Sequence, residues 1–151
     1  MVGQRLEVSC LEDTLSYLLR SVAMKYRYYA HDVLDKDRRG VSKDLVIYHL
    51  AQQKGLNQKD LVGKLNITPA SVSSIVSQME SEGLLVRVQD KKDGRKFSLS
   101  LTEKGQSLVS HVIDSWLKIQ EEITKGFTED EKATFLHLLK QVEQNLDELT
   151  Y

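Results

Sequence analysis

A dense group of basic side chains occupies the middle of the chain. Five lysine and arginine residues fall within ten positions, namely Arg87, Lys91, Lys92, Arg95 and Lys96. Polar residues alternate with apolar ones on both sides of Asp93-Gly94, and this pattern predicts a β-hairpin. All five are candidates for contact with DNA, because basic residues of a hairpin, above all those at its tip, can contact phosphates, and the negative potential of a narrow minor groove attracts arginine. A run of charged residues alone is usually solvated surface. The neighbouring elements therefore decide whether these residues form a phosphate-binding surface.

Two short helices joined by a tight turn are predicted just before the hairpin. Asn57 is suited to cap the first, and Thr68 followed by Pro69 is suited to start the second, which ends before Gly83. The exposed face of the second helix carries short polar side chains, at Ser71, Ser73, Ser74 and Ser77. Such side chains allow a helix to lie deep in the major groove of DNA. An ordinary helical hairpin has a similar pattern, and the adjacent basic hairpin is what favours DNA binding.

The charge of the chain is unevenly distributed. Its formal net charge is −1, but residues 53–104 carry nine basic and six acidic side chains, whereas residues 105–151 carry four basic and nine acidic ones. The middle is therefore basic and the C-terminal part is acidic. A local basic surface is what matters for contact with phosphates, so the overall composition is compatible with DNA binding.

The elements before this region are predicted to be helical. Ser9 and Glu12 have the spacing of a capping box, and apolar residues recur at helical spacing from position 15 to position 29. Ser42 is suited to cap a second helix, which stops at Gly55. The near absence of proline, with one residue in the chain, agrees with a mostly helical protein.

Two more helices are predicted after the hairpin. Thr102 can cap a helix that runs to about Ile123, and Thr128 with Glu131 can form a capping box for the last helix. The last helix has an apolar stripe made of Phe135, Leu138, Leu139, Val142, Leu146 and Leu149. No other part of a single chain obviously covers the stripes of the terminal helices, so we expect a homodimer. The sequence thus predicts six helices and one hairpin.

The segment LNQKDLVGKLNITPASVSSIVSQMESEGLLVRVQDKKDGRKFSLSLTEKG resembles the DNA-binding lobe of the MarR family of transcriptional regulators. The hairpin tip Asp93-Gly94-Arg95 and the exit from residue 101 to residue 105 carry most of the resemblance. It implies a mainly α fold with a small β-hairpin wing. A winged helix-turn-helix lobe (42–102) and a helical dimerisation lobe (9–35 and 103–149) would then form a single domain over residues 1–151.

The resemblance also implies roles for individual residues. Arg95 would enter the minor groove, and Asp93 would hold the wing in place through charge-assisted hydrogen bonds. Gln58 and Thr68 match helix starts that face phosphate, and Ser71, Ser73 and Ser74 match positions that face bases. The expected partner is double-stranded DNA. A two-fold dimer would then bind a pseudo-palindromic operator with half-sites roughly 10 bp apart, as a repressor in most members of the family.

Neither a redox sensor nor a metal site is expected. Relatives that sense organic hydroperoxides carry a reactive cysteine that aligns with Ser16, whereas the one cysteine here is Cys10, nearly two turns earlier. The four histidines, at positions 31, 49, 111 and 137, have no ligand spacing. We therefore expect no metal and no cofactor.

A small-molecule effector is compatible with the sequence. Tyr26, Tyr29, Tyr48 and His49 fall on the first two helices, near the place where the MarR family often has a ligand crevice between its lobes. Aromatic residues at helical spacing usually just pack in a core, which is the simpler interpretation. A ligand bound there would act by favouring a dimer whose recognition helices no longer match the groove spacing.

Two other classes of function compete with a DNA-binding regulator. An enzyme is disfavoured because the sequence has no Gly-rich phosphate loop, nucleophile elbow or catalytic carboxylate pair. A winged helix that binds proteins would not need the basic wing tip. With no signal peptide and no long apolar run, the expected location is the cytoplasm, away from the membrane.

Overall fold

The computed structural model describes residues 10–34, 41–89 and 96–149. Within these ranges the chain forms seven α-helices and one hairpin, after a 3₁₀ turn at Leu11–Asp13. The elements are α1 (Leu15–Leu34), α2 (Val41–Gln52), α3 (Gln58–Leu65), α4 (Pro69–Ser81), β1 (Leu85–Gln89), β2 (Phe97–Leu101), α5 (Glu103–Ser107), α6 (Val109–Ile123) and α7 (Glu129–Leu149). The predicted fold class, mainly α with a small β-hairpin, is confirmed.

The caps around α3 and α4 are those that the sequence predicts. Asn57 and Asp60 form a reciprocal capping box at the start of α3, and Asn66 ends that helix in the left-handed region with φ 51°. The Thr68 side chain accepts a hydrogen bond from the N–H of Ser71, directly before Pro69. Because the turn from Asn66 to Thr68 is so short, the two helices have little freedom in their crossing angle.

A Schellman motif ends α4 and turns the chain into the hairpin. The N–H of Leu84 donates to the carbonyl of Met79, and the N–H of Gly83 donates to that of Glu80. Gly83 has φ +70°, which a residue without Cβ adopts at low cost. The strands β1 and β2 then pair antiparallel, from Leu85 opposite Leu101 to Gln89 opposite Phe97.

The end of β2 is hydrogen-bonded to the turn at residues 82–84, which is called the corner below. The Thr102 hydroxyl donates to the carbonyl of Gly83, and its N–H donates to the carbonyl of Leu84. Lys104 Nζ donates to the carbonyl of Glu82 at 2.8 Å. Gly105 is buried against the corner, and a Cβ placed there would overlap the Leu84 carbonyl oxygen. The corner therefore fixes both ends of the hairpin relative to α4.

The core of this region is apolar and tightly buried. The inner face of α4 contributes Val72, Val76 and Met79, which are fully buried, and Leu61 of α3 and Leu85 of β1 are buried with them. A hydrogen bond from the N–H of Leu99 to the carbonyl of Leu56 joins β2 to the α2–α3 connection. Since α4 and β1 share this core, the hairpin and the helix before it form one packed body.

Three predicted helix boundaries are wrong. α1 begins at Leu15, where Thr14 accepts a hydrogen bond from the N–H of Tyr17, whereas the predicted capping residue Ser9 lies outside the described residues. α2 already includes Val41, so Ser42 lies inside the helix instead of capping it. The predicted helix from Thr102 to Ile123 is divided at Leu108, whose N–H donates to the carbonyl three residues earlier and tightens the turn.

The chain divides into two compact units, Met1–Ser115 and Trp116–Tyr151. In the second unit, Thr128 and Glu131 form the predicted capping box of α7, and Phe127 packs edge-to-face on Phe135 at 6.0 Å. No residue of α7 is buried within the single chain. In the part of the chain that the structure describes, no helix is both long enough and apolar enough to cross a bilayer.

A nearly buried ion pair joins α2 to the end of α4. Lys43 Nζ lies 2.6 Å from Glu82 Oε1, and the side chains are 6% and 36% exposed. Removing the acid would leave an uncompensated ammonium in the interior, whereas removing the lysine would leave a carboxylate that water can reach. The two single substitutions should therefore have unequal costs.

We expect Glu82→Gln to lower the free energy of unfolding by about 2 kcal/mol, less than for a fully buried pair because Glu82 stays partly hydrated. Lys43→Met should cost clearly less. Urea denaturation followed by circular dichroism measures both. Equal losses, or a larger loss for Lys43→Met, would contradict this account of the pair.

Candidate nucleic-acid interface

The serine-bearing helix α4 presents an open polar face. Ser71, Ser73, Ser74 and Ser77 are all exposed, on the sides of the helix that its buried apolar residues leave free. The side chains of Thr68 and Ser71 are bonded to each other, with 2.8 Å between their hydroxyl oxygens. The structure thus places these five predicted DNA-facing residues at the start of α4 and along its outer face. A helix with short side chains can bring its backbone close to base edges.

Gln58 has a different environment from the one that the sequence suggests. It is the first residue of α3, and its side-chain Nε2 is buried without a hydrogen-bond partner among the described atoms. A buried amide donor without a partner is unfavourable, and a contact with phosphate requires the side chain to turn outward. The predicted role of Gln58 in DNA binding stays a prediction.

The hairpin has two chemically distinct faces. Arg87 lies opposite Leu99 and therefore on the same face as the buried Leu85. The other face carries Val86 and Val88, which are both nearly half exposed. Lys96 is exposed just before β2. Because Arg87 is on the inner face, its side chain lies towards α4.

Arg87 is paired with an acid that is not among the predicted site residues. Its Nε donates to Glu80 Oε2 at 3.2 Å. The sequence contains a signal for this pair, because the chain reverses direction at Gly83. Residues three or four positions before and after Gly83, such as Glu80 and Arg87, are thereby brought together. Glu80 is an acidic residue on a helix that has no basic residue in its last turn.

The wing tip itself lies outside the described residues. Lys91, Lys92, Asp93 and Arg95 all fall in the segment 90–95, so their predicted roles stay predictions. The strands on either side are paired up to Gln89 opposite Phe97. The segment 90–96 therefore connects two strand ends that are held together.

The four aromatic candidates for a ligand site, at positions 26, 29, 48 and 49, are all partly exposed to solvent. Burial raises the pKa of Tyr26, and for His49 burial, followed by the charge of Lys64, lowers the pKa. The Tyr48 and His49 rings are in edge-to-face contact at 5.3 Å, while Tyr29 and Tyr48 are about 40% exposed. These facts fit both packing and ligand binding, so the predicted crevice stays a prediction.

Other possible sites are less developed. Cys10 is exposed, as a solitary thiol in the described ranges. Within those same ranges, no three histidine, cysteine or acidic side chains are grouped as they would be around a metal ion.

Comparison with known proteins supports the resemblance to the MarR family. Residues 45–97 match the model of the MarR family. The homoprotocatechuate degradative operon repressor of Escherichia coli is 24% identical over 131 residues, which cover 87% of this chain and 88% of the relative.

Two solved structures share the fold. BpsR of Bordetella bronchiseptica, whose DNA binding is regulated by 6-hydroxynicotinic acid, has a TM-score of 0.80 at 20% identity, covering 89% of this chain and 96% of that chain. The S. aureus MepR–DNA complex has a TM-score of 0.76 at 24% identity, covering 87% and 98%. The resemblance to the MarR family noted in the sequence is confirmed, because the model of that family matches residues 45–97 of this chain.

Proposed function

We propose that the chain is a sequence-specific, double-stranded DNA-binding transcriptional regulator that acts as a homodimer. The observation that carries this proposal is the open serine face of α4 beside a hairpin fixed to the same helix end. A helix of this kind inserts into the major groove, while a wing beside it reaches the neighbouring backbone or minor groove. The basic balance of the region supplies the attraction to phosphates.

The contacts that we propose fall into two groups. Side chains of the helix-turn-helix approach base edges and nearby phosphates, and these are Gln58, Thr68, Ser71, Ser73, Ser74 and Ser77. Side chains of the wing approach the minor groove and the backbone, and these are Lys91, Lys92, Asp93, Arg95 and Lys96. Serine makes weaker base-specific contacts than arginine or asparagine, so part of the specificity would come from DNA shape.

Exposed apolar side chains on the terminal helices support a homodimer. On α1, Leu15, Leu18 and Val22 are at least half exposed, and on α7 the same holds for Leu138 and Leu146. Exposed apolar stripes of this kind are unfavourable in water and typically mark an interface. We propose a single MarR-like domain over residues 1–151, with a dimerisation lobe at 9–35 and 103–149 and a winged helix-turn-helix lobe at 42–102.

We further propose that the dimer represses transcription from a pseudo-palindromic operator in the cytoplasm, and that it has no enzymatic activity. Support comes from the E. coli relative, which is a repressor. A small-molecule effector is also proposed, because the DNA binding of BpsR is regulated by 6-hydroxynicotinic acid. The side chains that we propose for its site are Tyr26, Tyr29, Tyr48 and His49.

The test is selection of bound duplexes from a random DNA pool, followed by fluorescence-anisotropy titrations of the selected duplex over a salt series. We expect tight binding by the wild type, and for Arg95→Ala a slope of log affinity against log salt that is shallower by about 1.8, because the homodimer loses one phosphate contact in each of its two protomers. Lys140→Ala on α7 is the matched control for loss of a basic side chain and should bind as the wild type does.

Failure to enrich any duplex would overturn the proposal and favour a winged helix that binds proteins. Equal losses for Arg95→Ala and Lys140→Ala would remove the proposed role of the wing tip while leaving DNA binding in place.

A further inference from the structure

Arg87 and Glu80 form an ion pair between the hairpin and the recognition helix. The Arg87 Nε to Glu80 Oε2 distance is 3.2 Å, and both side chains are 39% exposed. Glu80 is in the last turn of α4, and Arg87 is the third residue of β1, on the far side of the Gly83 reversal. The pair therefore bridges the two elements that a winged helix-turn-helix brings to DNA.

The pleat of the hairpin directs Arg87 towards the protein. Leu85 and Leu99, which share its face, are 0% and 3% exposed, whereas Val86 on the opposite face is 44% exposed. A basic residue that served phosphates alone would gain from the open face of the strand. Arg87 instead donates to a carboxylate on the neighbouring helix.

The position of Glu80 makes its neutralisation relevant to DNA. Along α4 it lies two turns after Ser73 and one turn after Ser77, so it shares their side of the helix. A carboxylate on that side, without a cation beside it, would repel the phosphates that the serines approach. Its ion pair with Arg87 removes most of this repulsion.

The Arg87–Glu80 pair restrains the hairpin at a different place from the hydrogen bonds at residues 82–84. The Schellman motif, Thr102 and Lys104 fix the chain at residues 82–84. Arg87 is three residues beyond Leu84, about 10 Å along the strand. A contact at that distance from the corner restrains the angle between the hairpin and α4, which sets where the wing meets DNA.

We infer that Arg87 is a positioning residue, which acts on DNA binding through Glu80 and not as a phosphate ligand. This inference rests on the proposed DNA-binding function. The pair sets the angle of the wing against α4, and it keeps the wing side of the recognition helix electrically neutral. Specificity for the operator depends on it more than total affinity does.

The experiment compares the wild type with Arg87→Gln, Glu80→Gln and the double variant. Each binds the duplex selected by the wild type and a scrambled duplex of equal length and composition. Both single substitutions should lower the ratio of the two affinities by about fivefold, and the double should be no worse than the worse single, because one contact is lost in all three. Melting temperatures should change little, since exposed ion pairs contribute little to stability.

The salt dependence separates positioning from phosphate contact. The double variant changes no net charge, so it should keep the wild-type slope of log affinity against log salt. A phosphate contact by Arg87 in each protomer would instead leave the double variant with a slope shallower by about 1.8. The matched control removes the Lys132–Glu129 pair of α7, in which Lys132 is half-buried and Glu129 is exposed, by converting both residues to glutamine; the Nζ to Oε1 distance is 2.7 Å. It should leave ratio and slope unchanged.

Three results would overturn the inference. They are a shallower slope in the double variant, an unchanged affinity ratio in Glu80→Gln, and additive losses in the double variant. In each of these cases the wild type still binds its selected duplex, so the proposed function would stand. Absence of binding by the wild type would overturn the proposed function itself, and this inference with it.

Discussion

Replacement of Gly105 by alanine should destabilise the winged helix-turn-helix region by about 3 kcal/mol, at the upper end of the usual cost of overpacking. The added Cβ would overlap the Leu84 carbonyl oxygen and press on the Leu101 side chain. That carbonyl accepts the hydrogen bond from the N–H of Thr102, so it cannot move without breaking the corner. Urea denaturation monitored by circular dichroism gives the free energy.

Gly63→Ala is the matched control. Gly63 lies inside α3, and apart from its two adjacent residues and the backbone of its own helix no atom comes within 4 Å of the position that an alanine Cβ would occupy. Alanine there should stabilise the protein by about 0.5–1 kcal/mol, because glycine loses more backbone entropy in a helix. The two glycine-to-alanine changes should thus have opposite signs. Similar stability of both variants would show that the corner is more adaptable than its contacts indicate.

Substitution of Leu139 and Val142 on α7 by aspartate should separate the dimer into monomers. Both side chains are close to 40% exposed within the single chain and lie near the middle of the apolar stripe. A two-fold dimer contains each substitution twice. Loss of even one aliphatic contact worth about 2 kcal/mol per protomer therefore lowers the free energy of dimerisation by about 4 kcal/mol, which is roughly a thousandfold in dimer affinity. Sedimentation velocity at micromolar concentration measures the mass directly.

Gln144→Glu adds a negative charge to the opposite side of α7 and is the control. It should remain a dimer and bind DNA as the wild type does, whereas Leu139→Asp/Val142→Asp should lose binding because only one half-site is engaged. A wild type that sediments as a monomer would contradict the dimer, and a dimeric double variant would place the interface elsewhere.

The local signals around α3 and α4 were sufficient to predict those helices. Asn57, Thr68 and Gly83 act through bonds to near neighbours in the chain, so their effect can be read from spacing alone. The hairpin strands were predictable for the same reason, since the alternation of polar and apolar residues around the Asp93-Gly94 sequence is a local feature.

The contacts that the sequence did not reveal join distant residues. Lys43 reaches Glu82 across 39 positions, and Lys104 reaches the Glu82 carbonyl across 22. Neither spacing has a period that marks the pair. The division of the predicted fifth helix lies next to a contact of this kind, because Gly105, whose carbonyl accepts the hydrogen bond from the N–H of Leu108, packs against Leu84.

Leu84 joins the two ends of the hairpin at one point, because its N–H is bonded to α4 and its carbonyl to Thr102. The hairpin between Leu84 and Thr102 is therefore closed at its base, and neither α4 nor α5 depends on its length. Insertions, deletions or substitutions in the segment that connects Gln89 to Phe97 can therefore accumulate without disturbing α4. The length of this segment is free to diverge between related proteins, while α4 keeps its place.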